Sequence, residues 1–340
     1  MRSLDLSHVS FSPAYQVYPP ARPWHKARRR LPVSEGAGAI ARSSWARRVT
    51  RNSMRDRPVF RFAPSPNGEL HLGHALSALI GYERARAAGG RFLLRIEDID
   101  VGRTRPEYVD GIFEDLRWLG LTWEEPVLFQ STRMDAYRAA AARLERMGLL
   151  YPCFATRSEI EMAHTGANDP DGAPIYPGLW KGRSKAEAAE RRAVGAPFAL
   201  RFDMAAAWDA AAARLSSAPL TFVELAEDGT PATIEARPER WGDAVIVRKD
   251  LPTSYHLAVV VDDAWQGVTH ITRGRDLYAA TDLHRLLQVL LDLPEPLYHH
   301  HRLVMDPAGR KLAKSARDTS LRSLREQGVT QAEIRRLVGM

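Results

Sequence analysis

Two clusters of side chains in this 340-residue chain could manage phosphate charge. His71-Leu72-Gly73-His74 places two imidazoles three residues apart around a glycine. Lys311-Leu312-Ala313-Lys314-Ser315 brings two ammonium groups 240 residues later. Transfer at phosphorus gathers negative charge in its transition state, so such a site needs fixed donors and cations more than a nucleophile. If a helix begins near Gly73, His71 and His74 share one face of its first turn. Backbone N–H groups and the positive end of the helix dipole lie beside them. Gly73 leaves room there for a nucleotide to approach. Each cluster alone has a plainer reading: capping or core histidines, and a solvated basic loop.

The elements needed to position these residues can be read around them. Residues 59–63 read as a short buried strand ended by Pro64 and Pro66. Residues 70–88 read as a helix with Leu72, Leu76, Leu79 and Ile80 on one face, stopped by Gly89-Gly90. Residues 91–96 read as the next strand, and 105–119 and 134–147 as helices. This alternation implies an α/β fold with a parallel sheet and right-handed crossovers, a Rossmann-like nucleotide fold. From 151 to about 240 the rhythm breaks. Gly/Pro-rich turns at 168–182, an Ala-rich helical stretch at 185–194 and strand-like pieces at 198–202 and 220–225 suggest an inserted α+β domain. Residues 244–249 and 257–262 are expected to resume the sheet, and 279–291 to form an amphipathic helix.

Composition is that of a soluble globular protein with room for more than one domain. No apolar run approaches the roughly 20 residues of a membrane span; the most apolar stretch, 257–261, is broken by Asp262 and Asp263. The single cysteine, Cys153, excludes an internal disulfide and suits a reducing compartment, so a cytoplasmic location is expected. The basic pI of about 9.7 is misleading. Residues 1–57 hold 12 Lys and Arg against 3 Asp and Glu, whereas the remainder holds 36 against 38. An RNA-binding face on the body would therefore have to be a local patch. The extension is rich in Pro, Ser and Arg and is expected to be disordered. Three accounts of it stay open: translation beginning at Met54, a basic tail that helps hold RNA, or a targeting segment.

Around the two clusters, further strings recur in a fixed order. Arg61-Phe62-Ala63-Pro64-Ser65-Pro66-Asn67-Gly68 runs into HLGH, and Arg95-Ile96-Glu97-Asp98-Ile99-Asp100 follows. Tyr255-His256-Leu257-Ala258-Val259-Val260-Val261-Asp262-Asp263 and Thr272-Arg273-Gly274-Arg275-Asp276-Leu277 come later, before the lysines. In that order the strings resemble the HIGH and KMSKS signatures and the glutamyl/glutaminyl pattern of class I aminoacyl-tRNA synthetases. The short run after Ser315 resembles the glutamyl-Q branch, which has no anticodon-binding domain. The resemblance implies a class I catalytic domain divided as a basic extension at 1–57, first catalytic half at 58–150, insert at 151–240, second half at 241–300, and KMSKS-like loop with helical tail at 301–340.

The same resemblance implies roles. His71, His74 and Lys314 would be catalytic, with Gly73 and Lys311 joining them in binding ATP with Mg. Arg61, Phe62, Ala63, Pro64, Ser65, Glu97, Tyr255 and Arg273 would hold L-glutamate. An arginine can fork onto a carboxylate, Glu97 can bind an ammonium group, and Tyr255 and Ser65 can donate hydrogen bonds. Members of this branch often bind zinc in the insert through Cys-x-Cys, Tyr and Cys. Here Cys153 and Tyr176 remain as remnants, and Trp180 stands where the last cysteine is expected. One thiolate and one phenol do not make a tetrahedral zinc site, so zinc is expected to be absent, with apolar packing around Trp180 and Tyr151 instead.

The implied reaction is activation of glutamate to glutamyl-adenylate without tRNA, then transfer to queuosine at the anticodon wobble position of tRNA(Asp). The implied partners are that tRNA and glutamate, with no membrane and, by default, a monomer. Two alternatives stay open: a truncated glutamyl-tRNA synthetase charging an acceptor end, and a non-catalytic tRNA-binding paralogue. If Lys314 reaches the phosphates, Lys314→Ala should cut glutamate-dependent ATP–pyrophosphate exchange by about 10²–10³ or more, with glutamate affinity nearly intact. Equal loss of both would show that the lysine is misplaced.

Overall fold

The computed structural model describes residues 57–304 and 320–340. The N-terminal stretch through residue 56, and the loop carrying Lys311 and Lys314, lie outside the described residues.

The chain opens with strand β1 (Val59–Phe62) and helix α1 (Leu72–Ala87), then β2 (Arg91–Ile96) and α2 (Pro106–Trp118). Between α1 and β2, Gly89 takes φ 59°, and a Cβ on Gly90 would meet the Pro58 carbonyl oxygen at 2.5 Å, so this tight return needs both glycines. Next come β3 (Glu124–Phe129), α3 (Met134–Arg146) and β4 (Leu150–Cys153), followed by short α4 (Arg157–Met162), α5 (Lys185–Ala193), β5 (Ala199–Phe202) and α6 (Met204–Arg214). Strands β6 (Thr221–Leu225), β7 (Pro231–Glu235) and β8 (Val245–Val247) precede α7 (Tyr255–Trp265), β9 (His270–Gly274), α8 (Ala280–Leu290) and β10 (Leu297–His301). Short α9 (Leu321–Glu326) and α10 (Gln331–Leu337) close the described chain.

Seven strands form the main sheet in the order β3-β2-β1-β9-β10-β6-β7, parallel throughout except for the last antiparallel pair. Alternation along the strands sends side chains to two covered faces. Phe60, Phe62, Phe92, Leu94 and Ile96 pack under α1, α2 and the last two helices. Val59, Leu93, Ile271 and Tyr298 pack under α3, α6, α7 and α8. Strand order reverses between β1 and β9, and the carboxyl ends of these two strands open a crevice at the switch point.

Three expectations change. Residues 257–262 are helix α7, not a strand. Their continuous apolar run does not separate a buried strand from a buried helix; the Ser254 hydroxyl caps the helix at the Leu257 N–H, and the element is covered on several sides. The strand expected at 244–249 is β8, and it does not resume the main sheet. It pairs with β5 in a separate antiparallel sheet, β4-β5-β8. Residues 221–235, inside the stretch expected to be an insert, supply β6 and β7 to the main sheet, where Tyr298 of β10 aligns with Glu224 of β6. Among the described residues, no helix is long and apolar enough to cross a membrane.

Candidate active site

A cleft of about 490 Å³ lies at the switch point. It brings together Arg61, Phe62, Ala63, Pro64 and Ser65 after β1, His71, Gly73 and His74 at the start of α1, Glu97 after β2, Tyr255 on α7 and Arg273 on β9. The Glu97 N–H donates to the Pro64 carbonyl at 3.0 Å, which ties the two loops together. The residues expected from the sequence to hold glutamate, together with His71, Gly73 and His74, therefore line one cavity.

The histidines are caps as well as cleft residues. His71 is the N-cap of α1, and its Nδ1 accepts from the Gly73 N–H at 3.1 Å; the His74 Nδ1 accepts from the His71 N–H at 3.2 Å. The rings lie against each other with their planes tilted by 36°, 3.9 Å between centroids. Because Nδ1 is an acceptor on both, each neutral ring carries its proton on Nε2, as a donor. A Cβ at Gly73 would lie 3.0 Å from the His71 ring, so this glycine first of all makes room for the capping imidazole. Capping and phosphate binding use different ring nitrogens, so one role does not exclude the other.

Arg61 and Glu97 already have partners. Arg61 forks onto Asp263 at 3.0 and 3.4 Å, Arg95 reaches the same carboxylate at 2.7 Å, and Arg95 also reaches Glu97 at 3.0 Å. Burial pushes the Asp263 carboxyl up, but Arg61 and Arg95 outweigh it and hold it below the usual range. At Glu97 burial wins, and the carboxyl is raised despite Arg95 and Arg61. The four charges balance, so Arg61 is not a bare cation awaiting a ligand.

Arg273 differs. It is 4% exposed, and its hydrogen-bond partners are neutral. Its Nη2 donates to Thr281 at 2.7 Å, Nε to His300 Nε2 at 3.1 Å, and Nη1 lies 3.1 Å from His284 Nδ1 and 3.5 Å from the Tyr255 hydroxyl. Burial and the arginine itself hold His284 well below the ordinary histidine range. His300 is at about 4, where burial and Arg273 prevail over its hydrogen bond to Glu224, and His256, behind His284, is also at about 4 through burial and Arg273. Neutral imidazoles accept from a guanidinium without cancelling its charge. This leaves a buried positive charge on the cleft wall, suited to a substrate carboxylate.

The sequence reading did not single out Asp263, the counter-charge of the cleft floor, although a carboxylate ending an apolar run was a visible signal. It also missed Thr281, His284 and His300, the setting of Arg273. Asn67 and Ser77 near α1, and Thr272, Gly274, Asp276, Leu277, His301, Leu303 and Val304 from β9 onward, complete the cleft.

At the expected zinc remnant, the Cys153 thiol lies 3.3 Å from the Tyr176 hydroxyl, which in turn accepts from the Trp180 N–H. Trp180 is buried against Phe154, with Arg191 stacked 4.8 Å over its ring. Among the described residues, no group of three or more His, Cys, Asp or Glu is placed to hold a metal ion.

The family model for class I tRNA synthetases (E and Q), catalytic domain, matches residues 59–339. The glutamyl-Q tRNA(Asp) synthetase of Rhodobacter capsulatus is 46% identical over 294 residues, covering 83% of this chain and 100% of that protein. The Nocardia farcinica protein of the same name is 42% identical, covering 75% of each. The glutamate-tRNA synthetase structure from Elizabethkingia anophelis matches with TM-score 0.62 at 26% identity, covering 80% of this chain and 54% of that one. The chain thus spans about half the length of that solved relative.

If Arg273 receives the substrate carboxylate, Arg273→Ala should raise the glutamate requirement of ATP–pyrophosphate exchange at least tenfold more than the ATP requirement. The reverse pattern would remove it from the amino acid pocket. The depressed histidines also set a pH dependence. The unfolded chain binds their protons near 6.5 and the folded chain only near 4, so their stabilising contribution is present above pH 6.5 and is lost as pH falls toward 4. The urea midpoint should drop across that window, and less steeply in His256→Gln. Identical slopes would contradict this.

Proposed function

The chain belongs to the class I glutamyl/glutaminyl tRNA synthetase family, and from that premise we propose that it is an ATP-dependent, AMP-forming ligase that activates L-glutamate without tRNA. The glutamyl group then passes to queuosine at the wobble position of tRNA(Asp). The single observation that carries the substrate assignment is Arg273, a buried cation whose partners are all neutral, on the wall of a cleft that also holds the amino end of α1.

In this reading Arg273 receives the glutamate side-chain carboxylate, with Tyr255 beside it. Glutamine would leave the guanidinium poorly paired, and sites built this way discriminate by about 10⁴ or more. The Glu97 carboxylate faces the substrate ammonium, and Ser65 donates from the opposite loop. The α-carboxylate oxygen attacks the α-phosphorus, and pyrophosphate leaves. The His71 and His74 Nε2–H groups and the first N–H groups of α1 receive the charge that builds on the phosphates. Lys311 and Lys314 are assigned there from the sequence motif. Mg²⁺, which usually binds through substrate phosphates with one or two carboxylates, would neutralise phosphate charge. A hydroxyl of the queuosine cyclopentene-diol then attacks the acyl carbon, and AMP leaves.

Support for the second step comes from the relatives that carry the glutamyl-Q name at 38–46% identity. Relatives at 35–38% identity named glutamate–tRNA ligase 2 supply the competing reading, transfer to an acceptor end.

Purified protein with ATP and radiolabelled glutamate distinguishes the readings. Label on queuosine-containing tRNA(Asp), absent from the same tRNA carrying guanosine and surviving removal of the acceptor end, is the expected result. Label at the acceptor end of tRNA(Glu) would overturn the second step. Absence of any glutamate-dependent pyrophosphate exchange would overturn the first.

A further inference from the structure

Asp115, on the inner face of α2, is a buried carboxylate that the reaction above does not use. It is 1% exposed, and its Oδ1 accepts no hydrogen bond among the described residues. A buried polar group in that state is rare and calls for a reason. Its charge partner is Arg325 of α9, whose Nη2 lies 3.6 Å from Oδ1 and 2.9 Å from Glu114 Oε2. The charged groups facing it are Arg325 and Arg322 of α9, Glu69 of the loop before α1, and Glu114 of its own helix. Burial outweighs the two arginines and, with the two glutamates, pushes the carboxyl up to about 6. The folded chain therefore keeps this group ionised at neutral pH at some cost in stability.

What the ion pair seats is α9, and α9 meets the HLGH turn through one backbone bond. The N–H of Leu321, the first residue of α9, donates to the Leu70 carbonyl at 2.8 Å. Leu70 immediately precedes His71, the N-cap of α1. Beside that bond Arg322 reaches Glu69 at 3.5 Å, and its guanidinium lies over Gly111 of α2, where a Cβ would stand 3.1 Å from Nη2. Leu70 and Leu321 are both buried in the apolar cluster that holds Val109, Ile112 and Leu116 of α2. A continuous path of contacts thus runs from Asp115 through α9 to the start of α1. Donors misplaced by about 1 Å can cost about 10²-fold in rate even when the change lies far from the chemistry. Given the reading in which the amino end of α1 receives the phosphates, on which this step rests, we infer that Asp115 is a positioning residue for glutamate activation: by seating α9 through Arg325 it fixes the start of α1, and with it His71 and His74. Protonation of Asp115 removes one of the two carboxylates that hold Arg325 and loosens the path.

The test is glutamate-dependent ATP–pyrophosphate exchange across about pH 5 to 8 in wild type, Asp115→Asn, Arg325→Lys and Arg325→Ala, with urea unfolding of each. In wild type kcat should fall on the acid side with a midpoint near the 6 of Asp115. Asp115→Asn should lose that limb and, at the alkaline end, run roughly tenfold slower with KM for glutamate within about twofold of wild type. Arg325→Lys, which keeps a charge opposite Asp115, should retain the limb, and Arg325→Ala should lose it. Unfolding separates positioning from packing. The carboxyl binds its proton near 3.8 in the unfolded chain and near 6 in the folded one, so its contribution to stability is present below 3.8 and is lost as pH rises through 6. At the alkaline end Asp115→Asn should therefore unfold at no lower urea concentration than wild type, while being the slower enzyme. An acid limb that persists unchanged in Asp115→Asn overturns the inference, as does a loss of rate matched by a lower urea midpoint, or a rise in glutamate KM in place of the fall in kcat. No exchange in wild type at any pH would overturn the activation reading, and the inference with it.

Discussion

The floor of the cleft rests on one carboxylate. Asp263, on α7, holds Arg61 of β1 and Arg95 of β2 against it, and Arg95 passes on to Glu97. Removing charges from water costs several kcal/mol per ion in real proteins, so a buried cluster persists only when its geometry is good and its sum is near zero. Two guanidinium groups and two carboxylates meet that condition. The cluster pins α7 to the two strands that flank the cleft and sets the direction in which Tyr255, at the start of α7, faces. Beside it, Asp262 accepts from Gln130, Arg133 and Tyr137, fastening the same helix to α3 and to the turn before it. Adjacent acidic residues thus join one helix to both neighbouring layers.

Against that balanced floor, the Arg273 wall is deliberately unbalanced in charge. Burial works differently on the two kinds of partner. A carboxylate beside an arginine stays ionised and cancels it, as at Asp263. A buried imidazole beside an arginine stays neutral, so it satisfies the N–H geometry and leaves the charge available. His284 and His300 give Arg273 a fixed orientation, and the Glu224 carboxylate fixes the tautomer of His300 from the far side at 2.7 Å. A cation held this way is preorganised for an anionic ligand without a resident competitor.

Much of the fold could be read because its signals are local. Gly89-Gly90 and the apolar spacing of α1 place that helix, and the run from Arg91 to Ile96 emerges as β2 without adjustment. The HLGH histidines and the other cleft residues could be placed together only through their resemblance to a family, since nothing in their spacing says that Glu97 and Arg273 line one cavity. What escaped was set by tertiary packing. The Val-rich stretch of α7 has strand-like composition, yet it folds as a helix because it must cover the sheet. Strand β8 is three residues long, and its partner β5 is chosen by long-range pairing. Asp263 stands out in the sequence as a carboxylate ending an apolar run, but its pairing with Arg61 and Arg95 does not, because those contacts span 202 and 168 residues.

Strand order has a consequence for how the protein is made. The two strands bordering the cleft, β1 and β9, pair across a long separation, and the Val59 N–H donates to a Thr269 side chain 210 residues away. The hairpin of β6 and β7 is synthesised before β10, the strand that joins it to the sheet. During vectorial synthesis the early strands therefore wait with unpaired edges, and non-local parallel pairing of this kind is slow and prone to aggregation. The ligand cleft is among the last features to form. A nascent chain lacking β9 and β10 has no binding wall, so its ligands can stabilise the protein only after nearly the whole chain has left the ribosome.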